Sequence, residues 1–148
     1  MIARLVGSEM CIRDSTQTAI GLRKKLIVFG NDYDTPDGTC VRDYINIIDL
    51  AKAHVKSLEL MQGKMNSYTF NIGTGNGLSV LEIIKKFENI TGEKLNYIIG
   101  NRRSGDVEKI YACNKLAKKI LKWEPENSIS NALKTAWEWQ KNITRKLL

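Results

Sequence analysis

The chain has little of what marks a secreted, metal-bound or membrane-embedded protein. Its three cysteines, Cys11, Cys40 and Cys113, are too few and too scattered for a disulfide framework, and no CxxC pair offers a zinc site. That usage fits a reducing, cytoplasmic setting. No apolar run approaches the roughly 20 residues that span a bilayer. The one histidine, His54, has no cysteine or acidic triad partner nearby, which argues against nucleophilic catalysis around it. Two prolines and eleven glycines leave no low-complexity linker. Aromatic residues make up 7% of the chain and do not alternate with basic ones, so no nucleic-acid stacking surface is expected.

What is present is the composition of one soluble globular domain: 148 residues, 43% apolar and 26% charged. Twenty-three Lys and Arg against 16 Asp and Glu give a net charge of +7 and favour anionic partners. The lysines are spread along helix faces, as in Lys85-Lys86 and Lys118-Lys119, and read as a solubilising surface. Neither nucleic acid nor membrane is an expected partner.

The opening MIARLVGSEMCIRDS is not a secretory signal, because Glu9, Arg13 and Asp14 interrupt any apolar region. It resembles a translated sequencing adapter, and residues 1–15 are set aside as a non-native leader. The native chain is then expected to continue upstream of Thr16. Residues 16–142 form the candidate functional region and 143–148 a tail.

Strands alternate with helices along the rest, which indicates α/β architecture. Residues 16–25 read as the end of a helix closed by Arg23, Lys24 and Lys25. Leu26 to Phe29 reads as a buried strand, and the turn-rich stretch 31–39 as a loop. A strand is expected over 41–47. A helix capped by Asp49 should then run to about Met61, with Ala51, Val55 and Leu58 on one face. Residues 67–72 and 95–99 read as further strands. Ser79 and Glu82 form a capping box for a helix with a Val80, Ile83, Ile84, Phe87 stripe, stopped by Gly92. Helices over about 114–123 and 128–142 complete the pattern, and Trp123, Trp137 and Trp139 read as packing anchors.

Several motifs imitate chemistry without its spacing. Gly73 to Gly77 stands where a dinucleotide fingerprint would stand, but GxGxxG requires glycine at Leu78. Asp32, Asp34 and Asp37 suggest a calcium loop, yet Pro36 takes a ligand position and Asp37 the turn-glycine position. Tyr111 and Lys115 match Tyr-x-x-x-Lys, but Asn114 reads as a helix N-cap, which leaves Tyr111 outside the helix. One constellation remains. Arg42 follows the Gly38 turn, and Arg102, Arg103 and Asp106 follow a strand. Guanidinium forks match phosphate oxygens, a carboxylate accepts from sugar hydroxyls, and Phe29 and Val80 are suited to covering a base.

The segments Phe29 to Thr39, Val41 to Ile45 and Asp49-Leu50-Ala51 with His54 resemble the C-terminal region of the UDP-glucose 4-epimerase family. So do Asn71 to Gly75, Ser79 to Glu82, Arg102-Arg103 with Gly105-Asp106, and Trp137 with Trp139-Gln140. The resemblance runs from about Thr16 to Asn142. It implies the C-terminal part of an extended short-chain dehydrogenase/reductase: an incomplete Rossmann-type domain plus a small mixed α/β substrate domain. The implied activity is NAD-dependent interconversion of UDP-glucose and UDP-galactose through a 4-keto sugar, in galactose metabolism. A related UDP-N-acetylhexosamine or UDP-pentose epimerase, or a non-catalytic basic binding module, is the alternative.

Carried over to this chain, the resemblance puts Ile27 and Phe29 at the uridine and Arg42 and Arg103 on the diphosphate. Tyr44 and Val80 would support the nucleotide, Asp106 would bind ribose hydroxyls, and Ile110 would stand beside the hexose. No catalytic or cofactor-binding residue is implied here. The NAD loop, the Tyr-Lys pair and the helices of a homodimer are expected upstream of Thr16, so the chain alone should be inactive and poorly soluble. Asn46 and Cys40 depart from the family's histidine and glycine at those positions.

Overall fold

The computed structural model describes residues 8–62 and 67–147; residues 1–7 of the expected leader and Leu148 of the tail lie outside them. The elements in chain order are α1 (Ser8–Ala19), β1 (Leu26–Phe29), β2 (Val41–Arg42), α2 (Ile47–Met61), β3 (Leu78–Ser79), α3 (Val80–Thr91), β4 (Tyr97–Gly100), β5 (Lys109–Ile110), α4 (Lys115–Ile120) and α5 (Ile129–Leu147). Strands β1 and β4 pair in parallel, Leu26 opposite Tyr97 and Phe29 opposite Gly100. The second sheet has the order β3-β2-β5, with Arg42 flanked by Leu78 on an antiparallel neighbour and Ile110 on a parallel one.

The best-specified element is α3. The Ser79 hydroxyl accepts from the Glu82 N–H at 3.1 Å, and the Glu82 carboxylate accepts from the Ser79 N–H at 2.7 Å. Gly92 closes the helix in the left-handed region at φ 76°. Its stripe meets α5 and β1 in the main core, where Ile83, Phe87 and Leu133 are wholly buried beside Leu26, Val28, Leu95 and Trp137. The Phe87 and Trp137 rings meet edge to face, 5.9 Å between centroids. A second cluster joins Ala53 of α2 to Ala117, Leu121 and Trp123.

Local pattern and structure part company at several elements. Helix α1 begins at Ser8, with Cys11 and Ile12 packed on the main core. It ends at Ala19, before the three cations, because Gly21 turns the chain at φ 84°. The strand expected over 41–47 is two residues long. The N-cap of α2 is Asn46, whose side chain accepts from the Ile48 N–H at 2.8 Å. Asp49 is instead wholly buried. It accepts from the N–H groups of Glu126 and Asn127 and from the Asn127 amide, at 3.1, 2.9 and 2.7 Å.

Residues 67–72 find no pairing strand among the described residues. Helix α4 stops at Ile120 as Lys122 takes a left-handed φ of 52°, and α5 continues to Leu147. Trp139 is exposed and anchors nothing, since Leu133, Trp137 and Gln140 occupy the buried face of α5.

Candidate functional site

The loop after β1 and the loop after β4 run side by side because their strands are paired. The Gly30 N–H continues the ladder to the Gly100 carbonyl at 2.9 Å, and each chain then turns outward. Residues 102–106 thereby face residues 29–42 across a shallow hollow of about 50 Å³ that opens to solvent. Ile27, Phe29, Arg42, Val80, Arg103 and Asp106 all line it. These are six of the eight candidate residues, drawn from four separate segments.

Arg42 is only 8% exposed despite its charge, on a strand flanked on both sides by β3 and β5. Its Nη1 donates to the carbonyls of Val41 at 2.8 Å and Glu108 at 3.5 Å, and Nη2 donates to Asp106 Oδ1 at 3.4 Å. A guanidinium carries five N–H groups. Nε–H and one N–H of Nη2 take no part in these three contacts. Guanidinium N–H groups suit the oxygens of a phosphate. Arg103 places its Cζ 3.8 Å from the centroid of the Phe29 ring, so the apolar floor also fixes a cationic head. Asp106, paired with Arg42, offers a carboxylate at the same rim.

Two candidates lie elsewhere. Tyr44 is 3% exposed in the main core, its hydroxyl buried near the Cys11 thiol without a hydrogen-bond partner among the described residues. Burial pushes that phenol well above its usual range. Ile110 lines a neighbouring hollow with Arg42, Asp43, Tyr111 and Cys113. Arg42 borders both hollows.

Cys11, Asp14, Leu26 and Cys40 also line the first hollow and escaped the sequence reading. Cys11 and Asp14 lay in the excluded leader. For Leu26 and Cys40 no local signal separates lining the hollow from core packing. Asp43 was missed as well, although it stands in the same short motif as Arg42. Its carboxylate accepts from the N–H groups of Thr74, Gly75 and Ala112, at 2.9, 3.0 and 3.0 Å, and from the Thr74 hydroxyl. A Cβ on Gly73 would come within 2.5 Å of it, so the glycine there makes room for the carboxylate.

That arrangement decides how the glycine-rich turn relates to a dinucleotide. The Thr74 and Gly75 amides already serve Asp43 and do not form a cradle for a pyrophosphate. Tyr111 precedes α4, which begins at Lys115, so the two do not share a helix face. Among the described residues, neither the glycine-rich turn nor Tyr111 with Lys115 fits NAD. The three loop aspartates likewise go to separate partners: Asp32 to Arg102, Asp37 to Thr39 and Ser79, while the Asp34 N–H donates to Glu108.

Residues 7–136 match the family model described as GDP-mannose 4,6 dehydratase. The chain belongs to that family. The chain is similar to the UDP-glucose 4-epimerase of Drosophila melanogaster, 46% identical over 126 residues, which are 84% of this chain and 36% of that protein. The UDP-glucose 4-epimerase of Bacillus subtilis (strain 168) is 44% identical over 124 residues, 84% of this chain and 37% of that one. Among solved structures, the UDP-glucose-4-epimerase of Stenotrophomonas maltophila with bound NAD and formylated UDP-arabinopyranose matches with a TM-score of 0.88 at 37% identity, over 99% of this chain and 43% of that one. The Bifidobacterium longum enzyme in complex with NAD+ and UDP gives 0.85 at 41% identity, covering 89% and 39%. The fold is mixed α/β and matches these epimerase structures. The chain spans little more than a third of the length of the curated relatives it matches.

Proposed function

We propose that this region grips the diphosphate of a UDP-sugar as the substrate-binding part of a UDP-glucose 4-epimerase, an NAD-dependent isomerase of UDP-glucose and UDP-galactose. The observation that carries the reading is the meeting of Arg42 and Arg103, from segments some sixty residues apart, at one hollow floored by Phe29. Relatives named for this activity, and neighbours solved with UDP or a UDP-sugar, support it.

The chemistry demands a tight grip at the nucleotide and a loose one at the hexose, which must turn over between the two halves of the reaction. Concentrating binding on a diphosphate remote from the reacting carbon meets both demands. Arg42 would present its remaining Nε and Nη2 N–H groups to one phosphate and Arg103 would hold the other. Asp106 would accept from ribose hydroxyls, while Ile27, Phe29 and Val80 would cover the uracil. Tyr44 would support the nucleotide from beneath, through packing. Ile110, in the hollow beyond Arg42, would stand beside the sugar. NAD belongs, in this proposal, to residues of the whole protein outside this chain, and the whole protein pairs as the homodimer that the family resemblance implies.

No helix among the described residues is long and apolar enough to cross a membrane. The three free cysteines suit a reducing compartment, and the proposed location is the cytoplasm.

Calorimetric titration of UDP and of uridine into the whole protein tests the grip. Arg103→Ala should weaken UDP binding at least about tenfold, the worth of a charge-assisted hydrogen bond, and leave uridine unchanged. Unchanged UDP affinity overturns the reading. Turnover compared across UDP-hexoses, UDP-N-acetylhexosamines and UDP-pentoses then ranks the sugars.

A further inference from the structure

The two consecutive arginines after β4 do different work. Arg103 turns to Phe29 and the hollow, whereas Arg102 turns the other way. Its Nε donates to Asp32 Oδ1 at 2.7 Å, its Nη2 donates to the Asp32 carbonyl at 2.5 Å, and its Cζ lies 4.0 Å from the centroid of the Tyr33 ring. Gly30 makes this possible: a Cβ there would come within 2.5 Å of the Tyr33 ring and 2.9 Å of the Arg102 stem. One guanidinium thus clasps a side chain, a main-chain carbonyl and a ring of the facing loop. The Asp32 carboxyl is held below its usual range by that hydrogen bond, and Arg102 is raised in return.

Arg102 and Asp32 are 47% and 69% exposed at the side chain, where an ion pair adds little to global stability. Its consequence is local. It ties the loop after β4 to the loop after β1 at the residue next to Arg103. From this geometry we infer that Arg102 is a positioning residue, a latch that presets the head of Arg103 for the nucleotide diphosphate without touching it. The inference rests on the reading of the hollow as a diphosphate site. Lysine cannot replace this arginine, since an ammonium lacks the planar fork that reaches carboxylate and carbonyl together.

The test is a double-mutant cycle on UDP affinity, measured by calorimetry on the whole protein. Arg102→Ala should weaken UDP binding about five- to tenfold, as loss of preorganisation does, with little change in melting temperature. Asp32→Asn, which leaves both arginines in place, should give a smaller loss in the same direction, and Arg102→Lys should resemble Arg102→Ala. In an Arg103→Ala background, Arg102→Ala should cost nothing further. Equal losses in both backgrounds, or no loss at all while Arg103→Ala still weakens UDP, overturn the latch. If Arg103→Ala itself is silent, the diphosphate reading fails and the latch, which rests on it, falls with it.

Discussion

Helices α2 and α3 carry the same kind of apolar stripe and meet opposite fates. In α3, Ile83, Ile84 and Phe87 disappear beneath α5 and β1. In α2, Ile48, Val55 and Leu58 stand 56%, 54% and 70% exposed, and what holds the helix is Ala53, packed on Trp123, together with the buried carboxylate of Asp49. Periodicity shows which face of a helix is apolar. Whether anything covers that face depends on which segments the topology brings alongside. Here α1, α3 and α5 form a closed layer, whereas α2 is held by a small apolar contact through Ala53 and Leu60 together with one buried carboxylate.

The contrast should be largest in the closed layer. Phe87→Ala removes a ring with no exposed surface and should cost about 3–5 kcal/mol in urea unfolding of the whole protein. A cost under about 1 kcal/mol would mean that this layer is not the core. Asp49→Ala strands two backbone N–H groups and an amide, and should cost about 2–4 kcal/mol; Asp49→Asn, which keeps one acceptor, should cost less.

Ser79→Ala comes next, at about 1 kcal/mol for the cap, and it also removes the hydroxyl that donates to Asp37. Burial alone would raise the Asp37 carboxyl, but bonds from Ser79 and Thr39 hold it below its usual value. A depressed carboxylate stabilises the fold above its unfolded pKa and loses that contribution as pH falls through the folded value. Asp37→Asn should therefore flatten the acid limb of the stability profile and leave the neutral limb sloping as before. Smallest of all, Leu58→Ser should lie within about 0.5 kcal/mol of the parent; a loss comparable to Phe87→Ala would show that the α2 face is covered after all.

Legibility in the sequence followed how local each determinant is. The cap, stripe and stop of α3 all lie within fourteen residues, and the structure matches them. Asn46 and Asp49 are both able caps three residues apart, and only the arrival of Glu126 and Asn127 decides that Asp49 is used elsewhere. Residues 67–72 look like a strand because strand propensity is local, whereas a pairing partner is not. At the site, residue chemistry pointed to Arg42 and Arg103, but their meeting depends on the parallel register of β1 with β4 and of β2 with β5. Asp43 was hidden because its partners are mostly main-chain amides, which leave no mark on the sequence.

The most direct test of the account is the structure of the whole protein with UDP bound. The diphosphate should lie within hydrogen-bonding distance of both Arg42 and Arg103, with the uracil against Ile27, Phe29 and Val80. A diphosphate held elsewhere, with both guanidinium groups making only their present contacts, would contradict it.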